Sequence, residues 1–344
     1  MQCVFEEING LCVLKRNDLK YVVLSPLNQF YISNYMLQDL NKADNVEFLY
    51  LQKSQLKIKN PFFRQLYDYV IDARWLSKER RKQRFLGQIL NRNAAGGLVV
   101  LMTNEMLCHL DGNALKDLQE HHVKLGLILI DSLSANYESA TIARNYLQEV
   151  KFDFVFTFEP QDAAEWGFEY CNTLYSVIVE PKTLGVPYDI CYIGNIKDRL
   201  PLLLKLLNDA NANQVRVLMK VAGCNEEAQK QLPPEAILKF GMGYPNNVVS
   251  TMQSNCIFDI TQKCQTGVTL RYYEAVVYNK KLLTNNHAIK KMPFYNERYM
   301  KTYDDLKDVD WDWVKSVEKI DYGYNGEFSP MHILETIEQK MHGK

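Results

Sequence analysis

Three near-continuous apolar runs, Leu98–Met102 (LVVLM), Val123–Ile130 (VKLGLILI) and Phe152–Phe156 (FDFVF), constrain the fold of this chain most. A strand that is apolar on both faces belongs inside a sheet covered by helices above and below. Helical spacing through Ala114–His121 and Ser139–Glu149 separates the three runs, and that alternation predicts a parallel, doubly wound sheet. Upstream, Lys20–Leu24 and Val46–Leu51 flank a helical segment around Ile32–Leu40 and extend the same pattern. At the start of the chain, Asn9-Gly10 between QCVFEEI and LCVLKR is a hairpin signal.

A second series begins after Pro181–Tyr188 (PKTLGVPY), a linker-like stretch with two prolines and a glycine. It reads as strand Asp189–Ile193, a turn at Gly194-Asn195, helix Asp198–Leu207 and strand Val215–Met219 with Lys220 at its end. A weaker strand at Ile237–Phe240, a helix at Pro245–Asn255 and a strand at Cys256–Ile260 follow. At 344 residues the chain exceeds one ordinary core. The expectation is an α/β protein of two Rossmann-like domains facing across a cleft, 1–182 and 183–310, with a helical segment, 311–344, that returns to the first domain.

Composition narrows the class. A hydrophobic fraction of 47% and a charged fraction of 24% are those of a globular chain, and a net charge of −1 offers no basic field for nucleic acid. Eight cysteines at 3, 12, 108, 171, 191, 224, 256 and 264, with no CxxC pair, predict buried thiols rather than a disulfide framework or zinc site. No apolar run approaches the ~20 residues that cross a bilayer, and Glu6 and Glu7 fall where a signal peptide would be apolar. These features predict a cytoplasmic protein. The basic run Lys78–Arg84, in a helical region spanning Phe62–Asn91, leaves peripheral contact with the inner face of the membrane open, against the commoner reading of a solvated face.

The candidate site lies in Gln265–Asn286 (QTGVTLRYYEAVVYNKKLLTNN). Thr266-Gly267 interrupts the pattern as helix-start residues do, and within the apolar helix at Val268–Tyr278 only Arg271 and Glu274 are charged. Three residues apart, they share a face about one turn from the helix N-terminus, where free amides and the peptide dipoles attract phosphate. Arg271 suits a diphosphate and Glu274 suits ribose hydroxyls, or the two pair with each other. Arg199, Lys220 and Arg271 sit at expected carboxyl ends of strands, as does Gly194, which allows close backbone approach. In the first half, Asp131 follows the longest apolar strand and is placed either as a general base or as an N-cap.

The succession DICYIGN…R, FDI…QTGVTLRYYEAVVYNKKLLTNN and FYNERY resembles bacterial glycosyltransferases of the GT-B architecture, in particular those of capsular polysaccharide and lipopolysaccharide biosynthesis. The stretch FDFVFTFEPQDA at Phe152–Ala163 is similar to the matching part of those proteins, and the likeness covers roughly residues 125–305. It implies a nucleotide-sugar donor on the C-terminal domain. Gly194 and Arg199 would lie near the phosphates, the N–H groups of Thr266, Gly267, Val268 and Thr269 on the diphosphate, and Glu274 on the ribose. A glycan or lipid-linked saccharide acceptor would bind the N-terminal domain, with Asp131 taking the acceptor proton. No metal and no cofactor is implied, because cations and a helix N-terminus offset charge on the leaving diphosphate. One departure is Gly267, which stands where related retaining enzymes carry a first glutamate.

Two alternatives share the donor: a GT-B-like nucleotide-sugar epimerase and a non-catalytic nucleotide-sugar-binding partner. A competing motif, Asp308-Val309-Asp310-Trp311-Asp312, has the Asp-x-Asp form of a metal–diphosphate site, but its place before a helix at Trp311–Glu318 predicts capping. A last helix is expected over Met331–Met341.

Overall fold

A computed structural model describes residues 5–8, 11–14, 19–26, 31–51, 78–135, 138–172, 174–179, 185–239, 242–262 and 265–341. The chain forms two compact units, one made of 1–27 and 40–156, the other of 28–39 and 157–344. The linker-like stretch led to a boundary at 182/183; the division instead falls after Phe156, at the end of a strand. Residues 181–184 of that stretch, the Asn9-Gly10 turn and residues 62–77 of the long helical region lie outside the described residues.

Strands β1 (Phe5–Ile8) and β2 (Leu11–Leu14) pair antiparallel, with Phe5 opposite Leu14. The first large sheet contains β3 (Lys20–Pro26), β4 (Val46–Leu51), β5 (Leu98–Thr103), β6 (Lys124–Leu129), β7 (Phe154–Thr157) and the short β8 (Glu169–Tyr170). Its order is β4-β3-β5-β6-β7-β8, and β4, β3, β5 and β6 run parallel. Every residue of β5 is buried, as an all-apolar central strand requires. Helices Lys78–Leu90, Gly112–Glu120 and Glu138–Glu149 belong to this unit. Asp111 caps the second of them by accepting the Asn113 N–H at 3.0 Å.

The second unit has β9 (Tyr188–Asn195), β10 (Val217–Ala222), β11 (Ile237–Leu238), β12 (Ser254–Asp259), β13 (Lys281–Thr284) and β14 (Met300–Thr302). All pairs are parallel, in the order β11-β10-β9-β12-β13-β14. Chain direction across the sheet therefore reverses between β9 and β12, which in doubly wound sheets opens a crevice at the carboxyl ends. Side chains alternate into two cores: Ile190, Tyr192, Cys256 and Phe258 pack on one face, Cys191 and Ile257 on the other. Both units are thus Rossmann-like.

Two segments join the second unit from a distance. Ser176 Oγ donates to the Met36 carbonyl at 2.8 Å and accepts the Asp39 N–H at 2.9 Å, while Ser329 Oγ donates to Asp39 at 2.9 Å. The terminal helix Met331–Met341 carries Lys340, paired with Glu169 at 2.5 Å. Both partners of each contact lie in the second unit, so 311–341 is part of it. Among the described residues no helix is long and apolar enough to cross a membrane.

Candidate functional site

The strand β12 ends on Asp259, and the helix that follows it runs from Leu270 to Val277. Thr269 starts that helix from an extended conformation, its Oγ1 accepting the Arg271 N–H at 3.2 Å. The same hydroxyl donates to Asp259 Oδ1 at 2.8 Å, and Thr284 Oγ1, from the end of β13, donates to Oδ2 at 2.7 Å. Asp259 is buried, and burial raises its pKa; the Thr284 and Thr269 hydroxyls, Arg271 and Arg199 oppose that rise.

Arg271 crosses the switch point. Its guanidinium donates to the Ile193 carbonyl near the end of β9 and to Glu274 Oε2 one turn along its own helix. The other oxygen, Glu274 Oε1, accepts the Tyr244 hydroxyl at 2.5 Å. Burial disfavours charge on Arg271, but the Glu274 carboxylate outweighs it and holds the guanidinium pKa above its ordinary value. Burial, then the Glu274 charge, push the Tyr244 pKa well up and keep it a proton donor. Glu274 is 0% exposed and both its oxygens are engaged, so a ribose would reach it only after one of these bonds opened. Of the two readings of Arg271 and Glu274, their mutual pairing is the one present here.

The amides of the Thr266-Gly267 turn already hold an anion. Glu159 Oε1 accepts the Thr266 N–H at 3.0 Å, the Gly267 N–H at 2.8 Å and the Thr266 hydroxyl. Glu159 is 1% exposed and precedes helix Pro160–Trp166, which its side chain does not cap. On the next peptide, Asn286 Nδ2 donates to the Gly267 carbonyl at 2.8 Å. A Cβ on Gly267 would lie 2.8 Å from the Phe158 carbonyl oxygen, so the glycine is needed for this close approach. Sequence reading missed Glu159 and Asp259; the signal for the first was a glutamate, a poor N-cap, placed ahead of Pro160.

The remaining expected residues divide. Lys220 lies within β10 rather than past its end, and its Nζ donates to the Glu235 carbonyl at 2.8 Å, tying down the turn that leads into β11. Val268 is buried in the core. Gly194 lies in β9 opposite Val221. Arg199 opens helix Leu200–Ala212, donates through Nη1 to the Asn195 carbonyl at 3.2 Å, and has no partner for Nε among the described residues. Beside it, at the carboxyl ends of β9 and β10, a cavity of about 410 Å³ is lined by Asn195, Ile196, Lys197, Leu200, Gly223, Asn225 and Ala228. In the first unit, Asp131 Oδ2 accepts from Ser139 Oγ at 3.0 Å and from Asn104 Nδ2 at 3.4 Å.

The aspartate run caps. Asp310 accepts the Trp313 N–H at 2.9 Å at the start of helix Trp311–Lys315 and pairs with Lys301 at 3.1 Å. Among the described residues no group of three His, Cys, Asp or Glu is placed to hold a metal ion.

No protein-family model matches the chain, and no curated protein matches it. Among solved structures, it is similar to a UDP-N-acetylglucosamine 2-epimerase, at 12% identity over 95% of this chain and 97% of that one, with a TM-score of 0.47. It is also similar to a Polygonum tinctorium UDP-glucosyltransferase capable of glucosylating indoxyl, in complex with 3,4-dichloroaniline. There the identity is 10% over 78% of this chain and 80% of that one, with a TM-score of 0.41.

Proposed function

We propose that the protein is a glycosyltransferase that moves a sugar from a nucleotide-sugar donor, bound by the second unit, to a hydroxyl of a glycan or lipid-linked saccharide in bacterial surface polysaccharide synthesis. The observation that carries the reading is the cavity at the carboxyl ends of β9 and β10, lined by Asn195 and by Leu200, the residue that follows Arg199. Its volume, about 410 Å³, is in the range of small-ligand sites. Arg199 precedes the lining residue Leu200 and donates to the carbonyl of another lining residue, Asn195, and a charge-assisted contact to a diphosphate is what its guanidinium would add there. Arg271, fixed by Ile193 and Glu274, supplies a second cation at the adjacent switch point. Together they would offset charge on the departing nucleoside diphosphate. We assign the acceptor proton to Asp131, whose Oδ2 is oriented by Ser139 and Asn104.

Calorimetric titration with UDP, GDP, CDP, TDP and ADP tests the donor site. One of them binds, and Arg199→Ala weakens it roughly tenfold to a hundredfold, the worth of a charge-assisted hydrogen bond. Absence of binding to the folded protein would remove the main support for the reading.

One observation favours a nucleotide-sugar epimerase instead: Asp259, a buried carboxyl with a raised pKa, stands at the switch point where acid/base work on the donor itself would be done. Incubation with the bound nucleotide's sugars and no acceptor decides, since only an epimerase releases an isomeric nucleotide sugar. Binding without either product would mark a non-catalytic partner.

A further inference from the structure

We propose that Glu159 is a permanent internal occupant of the anion-binding turn Thr266-Gly267, and that it determines which group this turn takes from the substrate: a hydroxyl rather than a phosphate.

Three donors converge on one oxygen of Glu159, two amides and a hydroxyl, which is how a turn ahead of a helix grips an oxyanion. The turn is therefore an anion site, and it is filled by the chain itself. The turn that grips it is itself fixed, since Gly267 lies against the Phe158 carbonyl and its own carbonyl is held by Asn286. A phosphate brought beside it would meet a second negative charge at close range in a buried setting.

The second oxygen completes the inference. Glu159 Oε2 is buried and has no hydrogen-bond partner among the described residues. An ionised carboxylate only accepts, so the missing partner must be a donor, and buried polar atoms without partners are exceptions that call for one. A substrate hydroxyl meets that requirement and a phosphate oxygen does not. The choice of a sugar hydroxyl rests on the nucleotide-sugar reading above; the occupancy of the turn does not.

The test uses the full chain carrying Arg199→Ala, so that the cavity beside Asn195 contributes little, and compares Glu159, Glu159→Gln and Glu159→Ala. Removing the carboxylate leaves three donors around a vacated slot. The Glu159→Ala protein should melt lower than its parent and recover on addition of formate or inorganic phosphate, while the parent shows no such response. A folded Glu159→Ala protein indifferent to both anions would overturn the proposal. Should that variant not fold, Glu159→Gln keeps the shape and removes the charge. Its affinity for inorganic phosphate should rise by about tenfold, the equivalent of one pKa unit of interaction, and unchanged or weaker binding would overturn the proposal. Neither probe is a nucleotide, so failure of the donor reading and failure of this one give different results.

Discussion

The Tyr244 hydroxyl donates to Glu274 Oε1 at 2.5 Å, and it is the neutral half of a clamp whose charged half is Arg271. Glu274 exposes none of its side chain, so neither bond can be replaced by water. Tyr244→Phe deletes one donor to a buried carboxylate while keeping the ring. It should lower stability by about 1.5–3 kcal/mol, the cost of a hydrogen bond to a charged group. Urea unfolding of the two proteins measures this, and a difference too small to resolve would mean that the hydroxyl contributes nothing to holding Glu274.

Asp259 carries a pH dependence whose sign is fixed by its surroundings. Folding raises its pKa above the ordinary 3.8, chiefly through burial, so the folded protein holds this proton more tightly than the unfolded chain. Its contribution to stability is complete below 3.8 and is lost as pH rises through the higher folded value. The stability of wild type relative to Asp259→Asn should therefore fall as pH increases across that window and level off above it. Melting temperatures of both proteins over a pH series provide the check; a difference that grows with pH would contradict the assigned shift.

How much of this was legible in the sequence depends on the distance over which each partner acts. Buried strands such as Leu98–Thr103 carry their environment in their own composition, and the Arg271–Glu274 pair follows from three-residue spacing on one helix. The last helix is found where local pattern puts it, at Met331–Met341. Glu159 was not legible, because its partners Thr266 and Gly267 lie 107 and 108 residues on and the local cue, a residue before Pro160, speaks only of a helix start. The membership of 28–39 in the second unit was hidden for the same reason: Asp39 meets Ser176 across 137 residues. Lys220 was misplaced because the strand's end had to be inferred from composition, while pairing with β9 carries β10 on to Ala222.

Lys220 gives a prediction of the opposite kind. Its ammonium is spent on the Glu235 carbonyl at 2.8 Å, so it stabilises the connection between β10 and β11 and stays out of the proposed donor site. Lys220→Ala should cost about 1 kcal/mol of stability and leave nucleoside diphosphate affinity within about twofold, as expected for separated sites. Titration calorimetry on the variant beside Arg199→Ala makes the contrast; a loss comparable to that of Arg199→Ala would return Lys220 to the phosphate site.

Gly267 tests the geometry of the turn most directly. An added methyl would stand 2.8 Å from the Phe158 carbonyl and 3.3 Å from Pro160 Cδ, and the residue has little freedom to retreat because Glu159 holds its N–H and Asn286 its carbonyl. Gly267→Ala should therefore destabilise by about 1–3 kcal/mol, the usual cost of overpacking. Gly185 is the control, since a methyl there meets nothing within 4 Å among the described residues, and Gly185→Ala should change stability by less than about 0.5 kcal/mol. Thermal unfolding of the pair separates a steric effect from a general intolerance of alanine. If the two variants melted alike, the approach of Phe158 to Gly267 would be looser than the structure has it, and the grip of the turn on Glu159 would lose its rigidity with it.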